Sequence, residues 1–415
     1  MKRRRFLALS AQASVGSLLP LETLHASVRN QIASQPDTHT TFDVIVLGVG
    51  SMGSATCHFL AQRGHRVLGL EQFDIPHEFG SHTGQSRIIR MAYAEHPDYV
   101  PLLVRAYENW KALEDQTGSQ VYFKTGLVYF GKPTDAMMKG VHESATKYRI
   151  TLNTLSEEET TRKYPQFKLP SSYERLEEPN AGFVTPERCI LLFTEQALRH
   201  GATILTKTNV SEWKRDGGGI TVRTNRGDFA GKKLVITAGA WAGKMIPGLA
   251  SRLRVTRQVL AWVTPRNWDA FALGRFPCWI ADQFYGFPVL PVGAFGGPIG
   301  LKVARHFPGA LSDPDHLDRV PSPADERELV DALHTFIPDG YAETHVMKVC
   351  MYTNTPDENF ILDYLPGFDK DVAVAAGFSG HGFKFSSVVG EIMADLAMKG
   401  GTSLPIGFLN ARRFG

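Results

Sequence analysis

The run 42-FDVIVL-47 is apolar in the manner of a strand buried on both faces of a parallel sheet. Gly48-Val49-Gly50-Ser51-Met52-Gly53 follows at once, then a helix-like segment that stops at Gly64. The β-run 66-RVLGL-70 comes next and ends in Glu71. These pieces predict a complete βαβ unit. Farther on the rhythm changes. Shorter β-like pieces such as 121-VYFKTGLVYFG-131 and 257-RQVLAWVTP-265, broken by Pro and Gly, predict a mixed or antiparallel second domain. Strand and hairpin patterning returns over 201–213 and 218–241 and ends in a strand-to-glycine turn at Thr237-Ala238-Gly239-Ala240. The segment 371-DVAVAAGFSGHGFKFSSVVGEIMADLAMKG-400 is again strand, Gly-rich loop and helix. The reading is α/β: a discontinuous Rossmann-like domain over 41–120, 180–250 and 345–415, and a mixed or antiparallel-sheet substrate domain over 121–179 and 251–344.

Each glycine of the first turn has a physical task. Gly48 makes a tight turn, Gly50 leaves room for a pyrophosphate, and Gly53 lets helix and strand pack closely. The helix that opens at Ser51 and Met52 then presents exposed amides to the phosphates. Glu71 follows Gly53 by 18 residues, where a carboxylate can accept hydrogen bonds from an adenosine ribose. Strand, helix, second strand and acid together predict dinucleotide binding. Cys57, within the helix, reads as core.

The start of the chain, MKRRRFLALSAQASVGSLLP, has a basic opening, a modest apolar stretch and no acid before Glu22. It reads as a targeting segment. Arg3-Arg4-Arg5-Phe6-Leu7 resembles a twin-arginine export signal, with an organelle transit peptide or an inert tail as rivals. The apolar part is too short to span a bilayer, which wants roughly 20 residues. Residues 1–40 are expected to be signal and unstructured linker, with cleavage placed between Ala26 and Ser27.

With 43% hydrophobic and 21% charged residues, the chain as a whole is ordinary for a soluble globular protein. A formal net charge of +3 leaves no electrostatic footprint for nucleic acid. Cys57, Cys189, Cys278 and Cys350 are too irregularly spaced to imply a zinc site or a disulfide scaffold, so no metal is expected. Cys350 by itself reads equally well as core filler or as an anchor.

Three segments gather polar residues beside glycine. In 79-FGSHTGQSRIIRMAY-93, Arg87 and Arg90 are spaced so that one helical turn would point both to one side. The segment 284-FYGFPVLPVGAFGGPIGLKVARH-306 carries Lys302 on an expected strand. In 377-GFSGHGFKFSS-387 a hydrolase elbow would need a second glycine where His381 stands, so Ser379 is not a nucleophile. That loop reads instead as a strand-to-helix turn bringing backbone amides, including Gly380, close to a planar ligand, with Lys384 opening the helix.

Taken together, GSHTGQSRIIRMAY, YGFP with GLKVARH, KVCMYTNTPDENF and AGFSGHGFKFSSVVGE, in this order, resemble the monomeric sarcosine oxidase and N-methyltryptophan oxidase family of flavoproteins. The resemblance runs from about Phe42 to the C-terminus. It implies an FAD cofactor joined covalently through the sulfur of Cys350. Arg90 and Lys384 would clamp the substrate carboxylate, and Arg87 would lie against the flavin with Ser81 in the same loop. Lys302 would stand on the other flavin face, where its charge stabilises the superoxide formed as reduced flavin meets dioxygen. Tyr285 and His306 align with pocket residues, and Val210 with a residue whose backbone contacts adenine. Two departures bear on substrate shape: His82-Thr83 stands where the family often has two histidines, and the Gly-rich stretch before Lys302 is longer.

The function this implies is oxidation of a small N-substituted amino acid such as sarcosine, N-methyltryptophan or pipecolate, with dioxygen as acceptor and hydrogen peroxide as product. A dehydrogenase passing electrons to a quinone or protein, and a flavin-holding sensor without turnover, are the alternatives. The expected protein is a periplasmic monomer without a stable membrane span.

Overall fold

The computed structural model describes residues 18–32, 40–307 and 309–414. Its organising element is the strand Thr41–Leu47, which pairs in parallel with Val67–Leu70 on one side and Gly227–Ile236 on the other. Thr203–Leu205 and Val372–Ala376 extend the parallel order outward. The strand is buried on both faces, as its apolar run requires. Val44 and Val46 enter the core beneath the helices Ser51–Gln62, Pro186–Arg199 and Ser386–Lys399, whereas Ile45 and Leu47 enter a second core on the opposite face. Strands from three distant stretches of sequence thus complete one sheet, and the domain is discontinuous as expected.

The glycine turn is fixed by contact distances. Gly48 has φ +87°, and a Cβ there would sit 2.7 Å from the Thr237 carbonyl oxygen. A Cβ on Gly53 would lie 1.8 Å from the Gly48 carbonyl oxygen, so only glycine lets this helix start so near the strand. Gly50 differs: its Cβ would meet nothing nearer than His82 Nδ1 at 3.9 Å. The space beside it is free for a ligand.

The second sheet is mixed, with antiparallel pairing dominant. Its backbone is the strand Arg254–Thr264, which pairs antiparallel with Leu301–Arg305 and with Glu343–Asn354. Register places Trp262 opposite Lys302 and Gln258 opposite Cys350. The strand carrying Cys350 therefore belongs to this sheet, and the expected boundary at 345 runs through it. A three-stranded sheet joins Arg87–Ile89, Tyr122–Lys124 and Gly182–Val184.

Two expectations are corrected. Arg87 and Arg90 do not share a helical turn: Arg87–Ile89 is a strand, because the β-branched Ile88-Ile89 pair finds a partner strand in Gly182–Val184. Arg87 is half-buried and Arg90 fully buried. Nor is the stretch before Thr40 without structure throughout. Leu21–Gln31 is a helix whose Leu24 and Val28, four residues apart, are buried against Pro186–Arg199. Ala26 and Ser27, the expected cleavage point, lie inside this helix. Arg3-Arg4-Arg5 lies outside the described residues, among which no helix is long and apolar enough to cross a membrane.

Gly53→Ala tests the turn. Seating the methyl requires a backbone shift, so the variant is expected to lose at least about 3 kcal/mol of unfolding free energy in urea titration.

Candidate active site

Between the two large sheets lies a cavity of about 900 Å³. That is near the top of the usual range for ligand pockets, roughly 300–1,000 Å³. One stretch of its wall is the nucleotide-type turn: Gly48, Gly50, Ser51 and Met52, with Glu71, Ser81, His82, Val210 and the turn 237–241. Glu71 accepts the Val49 amide at 2.9 Å and the Phe73 amide at 3.0 Å. Burial pushes its carboxyl up to about 7 against these two donors. His82 is buried with Nε2 unpartnered among the described residues, and burial and Arg87 push it down to about 4. A space beside Gly50, a buried carboxylate and an orphaned imidazole nitrogen suit a dinucleotide, and these residues fit FAD.

Another stretch of wall carries charge. Arg90 donates from one terminal nitrogen to both Glu95 oxygens, at 2.8 and 2.7 Å, and from the other to the Ala92 carbonyl at 2.8 Å. Glu178, itself buried, accepts the Met91 and Ala92 amides and the Tyr129 hydroxyl, which fixes the backbone just beyond Arg90. Lys384 donates to the His381 carbonyl at 2.7 Å. Both cations lie over the ring of buried Tyr93, the Arg90 carbon at 4.6 Å and the Lys384 nitrogen at 5.2 Å from its centre.

The electrostatics follow from burial. Burial and the nearby Arg90 charge push Lys384 down to about 7, with Glu95 opposing. Burial, the largest single influence, would raise Glu95, but Arg90, His381, Lys384 and His306 together outweigh it and the carboxyl stays well below its ordinary range. Burial lowers His306 to about 3 and His381 to about 4, so both rings are neutral near pH 7. The Tyr93 hydroxyl meets His381 Nδ1 at 2.5 Å, while His381 Nε2 lies 2.9 Å from the Glu358 carbonyl. A carbonyl can only accept, so the proton sits on Nε2 and Tyr93 donates to Nδ1. Tyr285 and His306 line this part, and His306 Nδ1 is 3.3 Å from the Tyr352 hydroxyl. Two buried cations facing one carboxylate leave an unbalanced positive charge that can hold a ligand anion.

The structure does not bring every expected residue to the wall. Arg87 and Gly380 line the cavity; Gly53, Lys302 and Cys350 do not. A Cβ on Gly380, at φ +78°, would sit 2.2 Å from the Tyr352 ring, so this glycine permits a close approach. Lys302 is buried behind the 84–87 turn and donates to the Gly84 carbonyl at 2.5 Å, the Ser86 carbonyl at 2.7 Å and Ser86 Oγ at 3.2 Å. Burial and Arg87 drive it well below the usual lysine range. Cys350 packs with Leu260, Trp262 and Ala304, while its neighbours Met351, Tyr352 and Thr353 reach the cavity. Burial raises its thiol, with Arg87, Lys302 and Arg319 pulling the other way. Ser379 Oγ is spent on the Gly377 carbonyl and the Thr355 amide. Sequence reading missed Glu95, Tyr93 and Glu178. The available signal for Glu95 was the rule that a buried arginine needs a carboxylate partner.

Known proteins resemble this chain along most of its length. The family described as FAD dependent oxidoreductase (DAO) matches residues 43–396. Monomeric sarcosine oxidase of Streptomyces avermitilis is 38% identical over 90% of this chain and 98% of its own length. N-methyl-L-tryptophan oxidase of Citrobacter koseri is 33% identical over 86% and 94%. Among solved structures, a Tyr258Phe mutant of NikD, described as an unusual amino acid oxidase essential for nikkomycin biosynthesis, superposes with a TM-score of 0.79 at 25% identity, covering 89% of this chain and 97% of that one. L-proline dehydrogenase from P. horikoshii shares the fold at TM-score 0.74 and 24% identity, covering 90% and 98%.

Lys384→Met tests the buried charge. With its pKa down at about 7 from 10.5, folded Lys384 holds fewer protons than the unfolded chain between those values. Its penalty is therefore full below pH 7 and relieved as pH rises. The variant is expected to exceed the natural protein in stability at pH 6, by an amount that shrinks as the pH is raised toward 10, in denaturation curves across that range.

Proposed function

The chain belongs to the FAD dependent oxidoreductase family, and from that premise we propose that it oxidises a small N-substituted amino acid, such as an N-methyl or cyclic secondary one, with dioxygen as acceptor. The observation that carries this reading is the pair of buried cations, Arg90 and Lys384, lining the cavity together with Glu95, the carboxylate that pairs with Arg90. An incoming carboxylate balances that charge. It takes up the Lys384 ammonium and competes with Glu95 for the Arg90 guanidinium, with the Tyr93 ring supporting both cations as the exchange proceeds.

The carboxylate so held fixes the rest of the substrate. Tyr285, Tyr352 and His306 then confine the amine-bearing carbon, and orientation supplies much of the rate. Neutral His306 and His381 add polar contacts without adding positive charge beside the clamp. FAD supplies the two-electron acceptor chemistry that no side chain here provides. Lys302 stands behind the 84–87 turn, where its ammonium, although disfavoured by burial and Arg87, is the form that favours negative charge developing on the cofactor side of that turn. No side chain serves as nucleophile.

We propose further that Cys350 tethers the cofactor through sulfur. Its burial beside Trp262, one residue from the cavity wall, and the three cations around it support this. The basic opening of the chain supports export of the folded, cofactor-loaded protein by the twin-arginine route to the periplasm, where it works as a monomer.

Three experiments test the proposal. Incubating the purified enzyme in air with sarcosine, N-methyltryptophan or pipecolate is expected to give one peroxide per substrate consumed for at least one of them. Turnover that requires an added quinone would instead assign a dehydrogenase. Arg90→Met should raise KM for the carboxylate substrate about 100-fold, the scale of a lost charge-assisted contact. In acid precipitation the yellow colour should stay with the protein and pass to the supernatant in Cys350→Ala; colour in the supernatant of the natural protein would disprove the tether.

A further inference from the structure

The helix Leu21–Gln31 precedes the family match, which begins at residue 43. The Streptomyces sarcosine oxidase aligns over 98% of its own length, so the 2% left over, roughly eight residues, cannot hold a counterpart of this 11-residue helix. Yet the helix is docked as a core element. Leu24 and Val28 are buried, and Ser27 Oγ donates to Glu195 Oε1 at 3.4 Å.

Its docking partner leads to the cofactor wall. Arg188, in the first turn of Pro186–Arg199, is 2% exposed, and its hydrogen-bond partners among the described residues are neutral: the Leu19 carbonyl at 2.9 Å, Ser119 Oγ at 3.3 Å and the Ala294 carbonyl at 2.7 Å. The residue before it, Glu187, accepts the Gly84 amide at 2.8 Å and the Gln85 amide at 3.1 Å. Ala294 belongs to the longer Gly-rich stretch before Lys302. That stretch touches the same two places: Leu21 packs on Gly296, with 3.3 Å between Leu21 Cδ2 and a Cβ built there, and the Gln85 side chain donates to the Gly296 carbonyl. Gln85, at φ +70°, also accepts from Trp262 Nε1 at 3.1 Å. Gly84 and Ser86 on either side of it supply the carbonyls that hold Lys302, and Arg87 follows.

We propose that residues 18–31 are a resident part of the enzyme and that, with Arg188 and the 292–296 segment, they position the 84–87 turn against the cofactor. Extension and lengthened loop form one accessory unit. A buried guanidinium held only by neutral groups needs every one of them. Removing the Leu19 carbonyl and the cover of Leu24 and Val28 lets Arg188 withdraw to water, and the helix turn carrying Glu187 loosens with it. Arg188 is a positioning residue: it acts on Lys302 and Arg87 through Glu187, Gln85 and two backbone segments. The inference does not depend on which amine is the substrate.

The test compares three purified, flavin-loaded proteins: the full chain, a chain beginning at Leu18, and the full chain with Val28→Asp. Thermal melts are read beside hydrogen exchange of the Gly84 and Gln85 amides. The chain beginning at Leu18 is expected to melt with the full chain. Val28→Asp should melt several degrees lower, free the amides of its own helix, and speed exchange at Gly84 and Gln85 at least tenfold, while the strand Gly219–Thr224, which packs in the second core on the opposite face of the sheet, is unchanged. If the helix amides become free and Gly84 and Gln85 keep their protection, the positioning role is wrong. If the helix amides stay protected in Val28→Asp, the docking described here is wrong. Should that variant fail to fold, Leu24→Ala is read by the same criteria at smaller amplitude. Mass spectrometry of the enzyme from its native source gives the remaining outcome, since a mature N-terminus beyond residue 31 overturns the proposal.

Discussion

Burying positive charge is the constraint around which this molecule is arranged. Arg90 and Lys384 stand over one tyrosine ring, with the Glu95 carboxylate paired to Arg90, in a place where an unbalanced charge costs several kcal/mol. The surroundings answer that cost without removing it. Glu95 stays ionised beside Arg90, burial brings the Lys384 pKa down to about 7, and His306 and His381 remain uncharged. What is left is an electrostatic vacancy for one anion. An enzyme that must select an amino acid and hold it in one orientation gains both ends from the same vacancy.

Lys302 repeats the theme behind the 84–87 turn. Among the described residues its ammonium has no carboxylate in hydrogen-bond contact and rests on two backbone carbonyls and a hydroxyl of that turn. That turn carries residues in unusual backbone conformations, Gly84 at φ +113° and Gln85 at φ +70°. Such a segment keeps its shape only when its neighbours determine it. Glu187 holds its amides and the Gly-rich loop holds the Gln85 side chain, so the placement of Lys302 depends on elements spread across the whole chain.

How much of this was legible beforehand depends on sequence distance. The βαβ unit could be read from residues 42–71 because each of its requirements is local: an apolar run, glycines where a side chain would strike backbone, and an acid at the end of the next strand. The Cβ of Gly53 falling 1.8 Å from the Gly48 oxygen is the same fact seen in space. Arg87 and Arg90 were harder, since a spacing of three fits a helical turn, and only pairing with Gly182–Val184, nearly a hundred residues away, makes the segment a strand. Glu95 lay in plain view five residues beyond Arg90, but exposed acids are common and nothing local marks this one as buried. The helix Leu21–Gln31 was read as linker because two buried side chains in eleven residues are a weak stripe until Pro186–Arg199 supplies the surface beneath them.

By itself, then, the sequence determined the dinucleotide turn, the alternation of sheet types and the residue kinds available for chemistry, because backbone sterics and hydrophobic periodicity act over a few residues. Only the tertiary structure decided which of those residues share a wall. It put Arg90, Glu95, Tyr93 and Lys384 together, set Lys302 and Cys350 just behind the cavity surface, and drew the N-terminal helix into the body. The reason is physical: desolvation and charge balance are properties of a volume, and a volume is filled by segments that the chain order keeps far apart.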